Sequence, residues 1–482
     1  MIAMEKQAEG RRPRLGRRVL IAAVAGCAVL GGALALWPWE RTEAPRPVAP
    51  APGAQALSAV TAGVPAALPD LAMLITVREA RVRAHPEDAQ SWAVLGTAYV
   101  EQGRRTADAT NYPRAEKALR TSLTVQAKGN TAALDGMAAL ADARRDFRAA
   151  RTWGRAALKL GPKRWTTYPL LIDAYTGLGD YKAAKKTLDR LLELHSGAAV
   201  VRARAAAVYR DRGWREDAAA ALYDAAAAAG TPVEQAAWLE RAGQLAFERG
   251  DLEEALRRFQ AAVRLDPDQR AAQAGQGRTL AALGRTTEAL SAYRVALDRQ
   301  PCPQYALELG ELYESLGMAE AARAEYDVLG TRVADEAAGG VDDDLVLGAF
   351  EADHGDPREA VRRLRAEWQR QPGTEVADAL GWALHMAGDD KGALKFAMVA
   401  TDRAHGGAVR SALFSYHRGM IERDLELAGP ARRHLQEALR INPYFSPLRV
   451  PLAKQALAAL GEPPDEPVPT PQESKEPPED ES

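Results

Sequence analysis

The sequence has very little cysteine: two residues in 482, Cys27 inside an apolar run and Cys302 between Pro301 and Pro303. Neither a disulfide framework nor a CxxC metal site can be built from them, and Cys302 reads as a small residue at a helix entrance. Net charge is almost absent at −2. Residues 70–460 carry 54 Lys and Arg against 53 Asp and Glu, so no broad basic field exists to draw nucleic acid. Lysine supplies only 12 of the 63 basic residues, a compositional bias to which no function is attached. Chemistry-bearing motifs are missing as well. The chain has no GxxxxGK[ST], no HExxH and no GxSxG, and Gly275-Gln276-Gly277 lacks the rest of a dinucleotide fingerprint. The seven histidines are scattered, and His385, His405, His417 and His434, all in the last third, are separated so as to fall on different helices. No catalytic residue, cofactor or metal is expected, and the chain is not expected to be an enzyme.

What is present is enough apolar residue, 47%, to bury a core, in a chain too long for one ordinary globule. The ends read differently from the middle. Residues 1–18 form a basic segment carrying Arg11, Arg12, Arg14, Arg17 and Arg18, ahead of nineteen uncharged residues, Val19 to Trp37. That length is about the minimum for a membrane-spanning helix, with Trp37 and Trp39 placed for the far interface. Residues 19–39 are therefore expected to be a transmembrane signal-anchor of the cytoplasmic membrane. The basic block keeps the N-terminus cytoplasmic and places the rest outside. The span is alanine- and glycine-rich, which leaves two other fates open: cleavage after Ala33-Leu34-Ala35, or lipidation at Val24-Ala25-Gly26-Cys27. Residues 40–69 read as a Pro/Ala-rich linker, extended at least over 38–53. Residues 461–482, with seven prolines and eight acids, read as an acidic disordered tail.

Between these ends the chain repeats itself. ERGDLEEALRRFQAAVRLDP, ending at Pro267, returns as ALGRTTEALSAYRVALDRQP, ending at Pro301. Small residues recur on one helix (Gly96, Gly243, Gly277, Gly310, Gly348, Gly381, Gly419) and alanines on the next (Ala115, Ala150, Ala184, Ala218, Ala255, Ala289, Ala322, Ala360, Ala393, Ala431), as two closely packed antiparallel helices require. Gly103, Gly179, Gly213, Gly250, Gly284, Gly317, Gly355 and Gly388 are predicted to end the first helix in the left-handed conformation. Asp180, Asp251, Asp356 and Asp389 follow as caps. Trp92, Leu95, Gly96 and Tyr99, then Ala255, Phe259 and Pro267, match the W-x2-L-G-x2-Y, A-x3-F and P marks of tetratricopeptide repeats, which the chain resembles. Its arrangement is similar to that of membrane-anchored bacterial proteins with such repeats.

The resemblance implies an all-α solenoid over 70–460. About ten helix pairs begin near 89, 131, 165, 199, 236, 270, 303, 341, 374 and 412, with capping helices at about 71–84 and 448–460. Residues 104–111 are predicted to loop out of the first pair, and 331–344 to form a hinge or a longer connection. The resemblance also implies binding of a protein or peptide in the concave groove. There the first helices of pairs seven to nine offer Gln304, Leu307, Glu311 and Glu314; Asp342, Leu345, Ala349 and Asp353; Glu375, Asp378, Trp382 and His385. The acids with Trp382 suit a basic or aromatic-containing segment. An acidic tail, of the kind chaperones offer to other repeats of this class, is not expected. The leading functional expectation is a membrane-tethered interaction scaffold. The alternative is an exported or lipidated subunit of an envelope-assembly enzyme complex, for cytochrome maturation or cell wall.

Overall fold

The computed structural model describes residues 52–299, 301–402 and 408–461. The expected anchor at 19–39 and nearly all of the acidic tail lie outside these residues. Among the described residues no helix is long and apolar enough to cross a membrane.

Two helices come first, α1 (Pro52–Ala62) and α2 (Leu68–Ala84). Ten antiparallel pairs follow: α3 (Ala89–Thr106) with α4 (Asn111–Val125), α5 (Thr131–Ala143) with α6 (Phe147–Leu160), α7 (Thr167–Gly177) with α8 (Tyr181–His195), α9 (Ala199–Asp211) with α10 (Arg215–Ala228), and α11 (Pro232–Glu248) with α12 (Leu252–Leu265). They continue with α13 (Arg270–Ala282) and α14 (Thr286–Arg299), α15 (Pro303–Ser315) and α16 (Ala319–Ala338), α17 (Asp344–His354) and α18 (Pro357–Arg370), α19 (Thr374–Met386) and α20 (Asp390–Thr401), α21 (Ala412–Asp424) and α22 (Ala428–Ile441). A single helix, α23 (Arg449–Ala459), ends the array. The described residues contain no strand. Helix α1 is a correction to the linker expected over 40–69. Past Pro52 the segment is alanine-rich, and its Ala56, Ala59 and Val60 are buried against the first turn of the array.

The pairs nest through small residues, as read from the sequence, but the group filling each notch is one turn further along the second helix. A Cβ on Gly96 would come 2.5 Å from Leu119, on Gly243 2.8 Å from Phe259, on Gly277 2.6 Å from Tyr293 and on Gly310 2.3 Å from Tyr326. Each of these large side chains lies four residues beyond the recurring alanine, and those alanines are nearly inaccessible. Pair two has Ala138 on the first helix, and Gly154 on its second helix receives Leu171 of pair three, 2.8 Å from where a Cβ would stand.

Six of the eight predicted turn glycines, Gly179, Gly213, Gly250, Gly284, Gly317 and Gly388, do adopt positive φ. Two do not. Gly103 lies inside α3, where a Cβ would meet the Tyr112 ring at 2.6 Å, and Gly355 has φ −128°. In pairs one, two and ten, Ala107, Arg145 and Glu426 take the left-handed conformation instead, at φ 51°, 57° and 60°. Asp180 and Asp389 cap as predicted, accepting from Ala183 N at 3.0 Å and Gly392 N at 2.9 Å. Asp251 makes no such cap. Replacing Asp180 with Ala should cost about 1 kcal/mol in urea unfolding, and no loss would show that the cap is dispensable there.

Helix repeats usually touch only their neighbours; this chain also rests on itself one superhelical turn later. Asp342 N donates to Arg144 O at 3.0 Å, and Ala408 N to Asp211 O at 2.8 Å. The Tyr181 hydroxyl lies 2.8 Å from Thr374 Oγ1 and accepts from Thr374 N at 3.1 Å. Asn442 Nδ2 donates to Phe247 O at 2.8 Å. The partners in the Tyr181 and Asn442 bonds are 193 and 195 residues apart. In pairs two to four the turn inside pair n therefore meets the connection that precedes pair n+6, and the turn of pair five meets the one that precedes α23.

Both spacing irregularities serve this contact. Residues 331–338 continue α16 as helix rather than forming a hinge, because TRVADEAA holds no breaker, and carry Gly339 and Gly340 back to the first turn. Residues 104–106 extend α3, and Ala109 packs on Gly339, whose Cβ would lie 2.5 Å from Ala109 O.

Candidate functional site

The first helices of pairs three to ten face inward and enclose a cavity of about 1370 Å³ along the superhelix axis. Second helices lie outside them. Because the second superhelical turn seats on the first, this inner surface is a lumen rather than an open groove. Eleven carboxylates and five arginines line it.

Many of these charges are joined into a ladder running from pair four to pair seven. Arg210 donates to Glu248 through Nε at 2.7 Å and Nη2 at 2.9 Å. Gln244 Nε2 donates to Glu248 at 3.1 Å, and Gln244 Oε1 accepts from Arg278 Nη1 at 2.6 Å. Arg278 in turn grips Glu308 through Nη2 at 2.8 Å, with Tyr293 donating to the same carboxylate at 3.0 Å. Such bidentate, charge-assisted pairs fix side chains firmly. The proximity of Glu248 holds the Arg210 guanidinium protonated still more strongly than usual. Asp211 lacks so close a partner: burial, then the nearby carboxylates of Glu375 and Glu248, push its carboxyl up to about 7. Burial likewise raises Glu240 and Asp342. The sequence reading missed this ladder, although the signal was there. Gln244 and Arg278 follow one another at the repeat period, each six residues before its pair's turn glycine, while Arg210 stands three residues before Gly213.

Of the residues expected to form the groove, Glu311, Asp342, Asp353, Glu375, Asp378 and Trp382 line the lumen, as do Gln304, Leu307, Leu345 and Ala349. Glu314 and His385 do not. Glu314 accepts from the Tyr326 hydroxyl at 2.8 Å, and His385 pairs with Asp390, both turned toward their own pair's second helix. Nor are all the others exposed as expected: Asp378 and Trp382 are 4% and 5% exposed. The next pair and the segment leading into α23 cover them. Asp378 Oδ2 lies 2.9 Å from His417 Nδ1, and His417 stacks on Trp382 with centroids 4.2 Å apart. Trp382 Nε1 donates to Asp353 Oδ1 at 2.7 Å, and Asp353 also pairs with Arg449 of α23. The acidic wall is thus partly neutralised by the chain's own cations.

Asp342, Asp344 and Glu367 converge closely enough to hold a cation. Arg370 already stands among them, 2.8 Å from Asp342 and 2.7 Å from Asp344, and bonded to Glu367, so a guanidinium supplies the balancing charge. Cys302 is the residue before α15 and half-buried, and desolvation raises its thiol to about 11 and leaves it a poor nucleophile.

Residues 240–301 and 275–336 match the family model of the tetratricopeptide repeat. Comparison with curated proteins gives no match. Among solved structures, the chain is similar to the APC/C hetero-tetramer Cut9–Hcn1, at 17% identity and TM-score 0.37, covering 77% of this chain and 76% of that one. It is similar to the human IFIT1 dimer with m7Gppp-AAAA at 18% identity and TM-score 0.45, covering 66% and 72%. A third is YrrB, described as a TPR protein with an unusual peptide-binding site, at 22% identity and TM-score 0.27, covering 39% and 95%. The chain carries tetratricopeptide repeats, with the family match lying over residues 240–336.

Proposed function

We propose that this chain is a protein-interaction scaffold that takes an extended segment of a partner protein into the lumen of its superhelix. One observation carries the reading: a continuous inner wall, built from eight successive first helices, surrounds about 1370 Å³ and presents eleven carboxylates against five arginines. That volume exceeds the usual span for small ligands, about 300 to 1,000 Å³, and suits a length of peptide. The excess of acid favours a segment carrying basic side chains. The inner-wall polar groups engage one another as ion pairs rather than as a nucleophile with its base, which fits binding better than catalysis.

The wider role remains part of the proposal. The basic block before residue 19 and the uncharged run over 19–37 support a tether in the cytoplasmic membrane with the repeats on the far side. Carbonate washing of membranes would leave a tethered chain in the pellet, and release into the wash would overturn the tether.

Filling the lumen tests the scaffold reading. Ala207 and Ala349 both line it. In the full chain, Ala207→Trp and Ala349→Trp should each lower capture of co-purifying partners from detergent-solubilised membranes about tenfold, equivalent to about 1.4 kcal/mol. Val295→Trp, on an exposed site of α14, should leave capture unchanged. Loss with Val295→Trp alone would move the interaction to the outer face and sink the lumen reading.

A further inference from the structure

The terminal helix α23 is held lightly. Its only buried residues are Ala453 and Ala456, while Leu452 is 45% exposed. Its first residue, Arg449, nevertheless points into the lumen and is only 11% exposed along its side chain. The guanidinium lies over the Trp382 indole, 5.5 Å from the ring centroid. It pairs with Asp353 and stands 3.9 Å from Glu311. Trp382 is set in place by the His417 ring on which it stacks and by its own bond to Asp353. An aromatic face with two carboxylates beside it is a guanidinium receptor, since Arg combines stacking with charge-assisted hydrogen bonds.

A second observation points the same way. Asp378 and His417, 4% and 5% exposed, keep one polar atom each without a partner, Asp378 Oδ1 and His417 Nε2. Buried polar atoms are normally satisfied. These two lie beside the receptor, where an acceptor and an imidazole nitrogen could engage the main chain of a bound segment once α23 moves.

We propose that Glu311, Asp353 and Trp382 form a receptor for an arginine side chain of the segment bound in the lumen. Arg449 fills this receptor as an internal surrogate in the unliganded chain, and the partner's arginine binds by displacing it. The proposal rests on the lumen reading above and names the chemistry of its ligand. Release of Arg449 leaves α23 held by Ala453 and Ala456, the half-buried Leu457 and Leu460 and the bond from Arg432 to Leu460 O, so its first turns loosen when the partner arrives.

The test uses the full chain and an acetylated, amidated heptapeptide, Gly-Ser-Leu-Arg-Leu-Ser-Gly, with its citrulline counterpart as the neutral control. Removing an internal competitor raises apparent affinity by the inverse of the receptor's open fraction. Arg449→Ala should therefore bind the arginine peptide about tenfold tighter than the unaltered chain, and the citrulline peptide no more tightly. Adding Asp353→Asn to Arg449→Ala should remove the gain. Equal affinity of Arg449→Ala and the unaltered chain, or an equal gain for citrulline, would overturn the proposal. If Arg449→Ala does not fold, hydrogen exchange of the unaltered chain decides. The arginine peptide should lower amide protection over 449–459 while citrulline does not, and unchanged protection would overturn it. Should the tryptophan plugs abolish partner capture while these peptide results are negative, the lumen reading stands and the arginine receptor falls. If the plugs have no effect, the lumen reading falls on its own evidence.

Discussion

Gly179→Ala lowers the unfolding free energy by about 3 kcal/mol, whereas Gly284→Ala, at nearly the same backbone angle, lowers it by about 1 kcal/mol. Gly179 and Gly284 have φ of 68° and 74°, so an added methyl meets the same left-handed strain at both. Their surroundings differ. Nothing lies within 4 Å of a Cβ on Gly284, while a Cβ on Gly179 would come 2.3 Å from Pro372 O, on the next superhelical turn. Backbone cannot yield there without breaking the bonds that Tyr181 makes to Thr374 two residues away, each worth about 1 kcal/mol net. Because the contact joins pairs three and nine, urea unfolding followed by circular dichroism should also lose cooperativity in Gly179→Ala, the two superhelical turns melting apart. Equal losses for the two substitutions would show that the stacked turns contribute little.

Asp211→Asn stabilises the chain at pH 8 by about 2 kcal/mol and by less than half as much at pH 5. Burial, with Glu375 and Glu248 nearby, raises the Asp211 carboxyl from 3.8 to about 7. A raised folded-state value means that the folded chain holds this proton more tightly than the unfolded chain does. Stability contributed by the protonated carboxyl is therefore present at low pH and is lost as pH climbs from about 4 through 7. The full difference corresponds to at most about 4 kcal/mol, reduced here because charges at buried protein sites are screened more strongly than a dry interior would allow. Asparagine keeps the neutral shape and removes the ionisation. Thermal melts of both proteins at pH 5 and pH 8 check the sign: a substitution that destabilises at pH 8 would mean that Asp211 works there as a paired anion with Arg210.

The helix pairs were legible because their causes are local. Glycine and alanine at fixed offsets, caps such as Asp180 and breakers such as Pro267 act within one repeat, so helices begin at Ala89, Thr131, Ala199, Arg270, Pro303, Thr374 and Ala412 where the spacing placed them. Less was legible wherever another superhelical turn intervenes. Residues 104–111 and 331–344 looked like interruptions because the surface they fit is supplied by each other. Trp382 and Asp378 looked exposed because the elements that cover them, α21 and the approach to α23, belong to later parts of the chain. Glu314 and His385 looked like groove residues because helical spacing assigns a face only to within a fraction of a turn. In each, the neighbouring second helix captured the side chain.

By itself the sequence determined that this chain is a solenoid of helix pairs, since a repeated pattern of small and large side chains admits one way of nesting neighbours. Only the tertiary structure decided that the solenoid closes upon itself and which inner charges are already matched. The rotation between successive pairs is small and set by the packing of each notch, so contacts about 195 residues apart arise from its accumulation over six pairs and correspond to no local pattern.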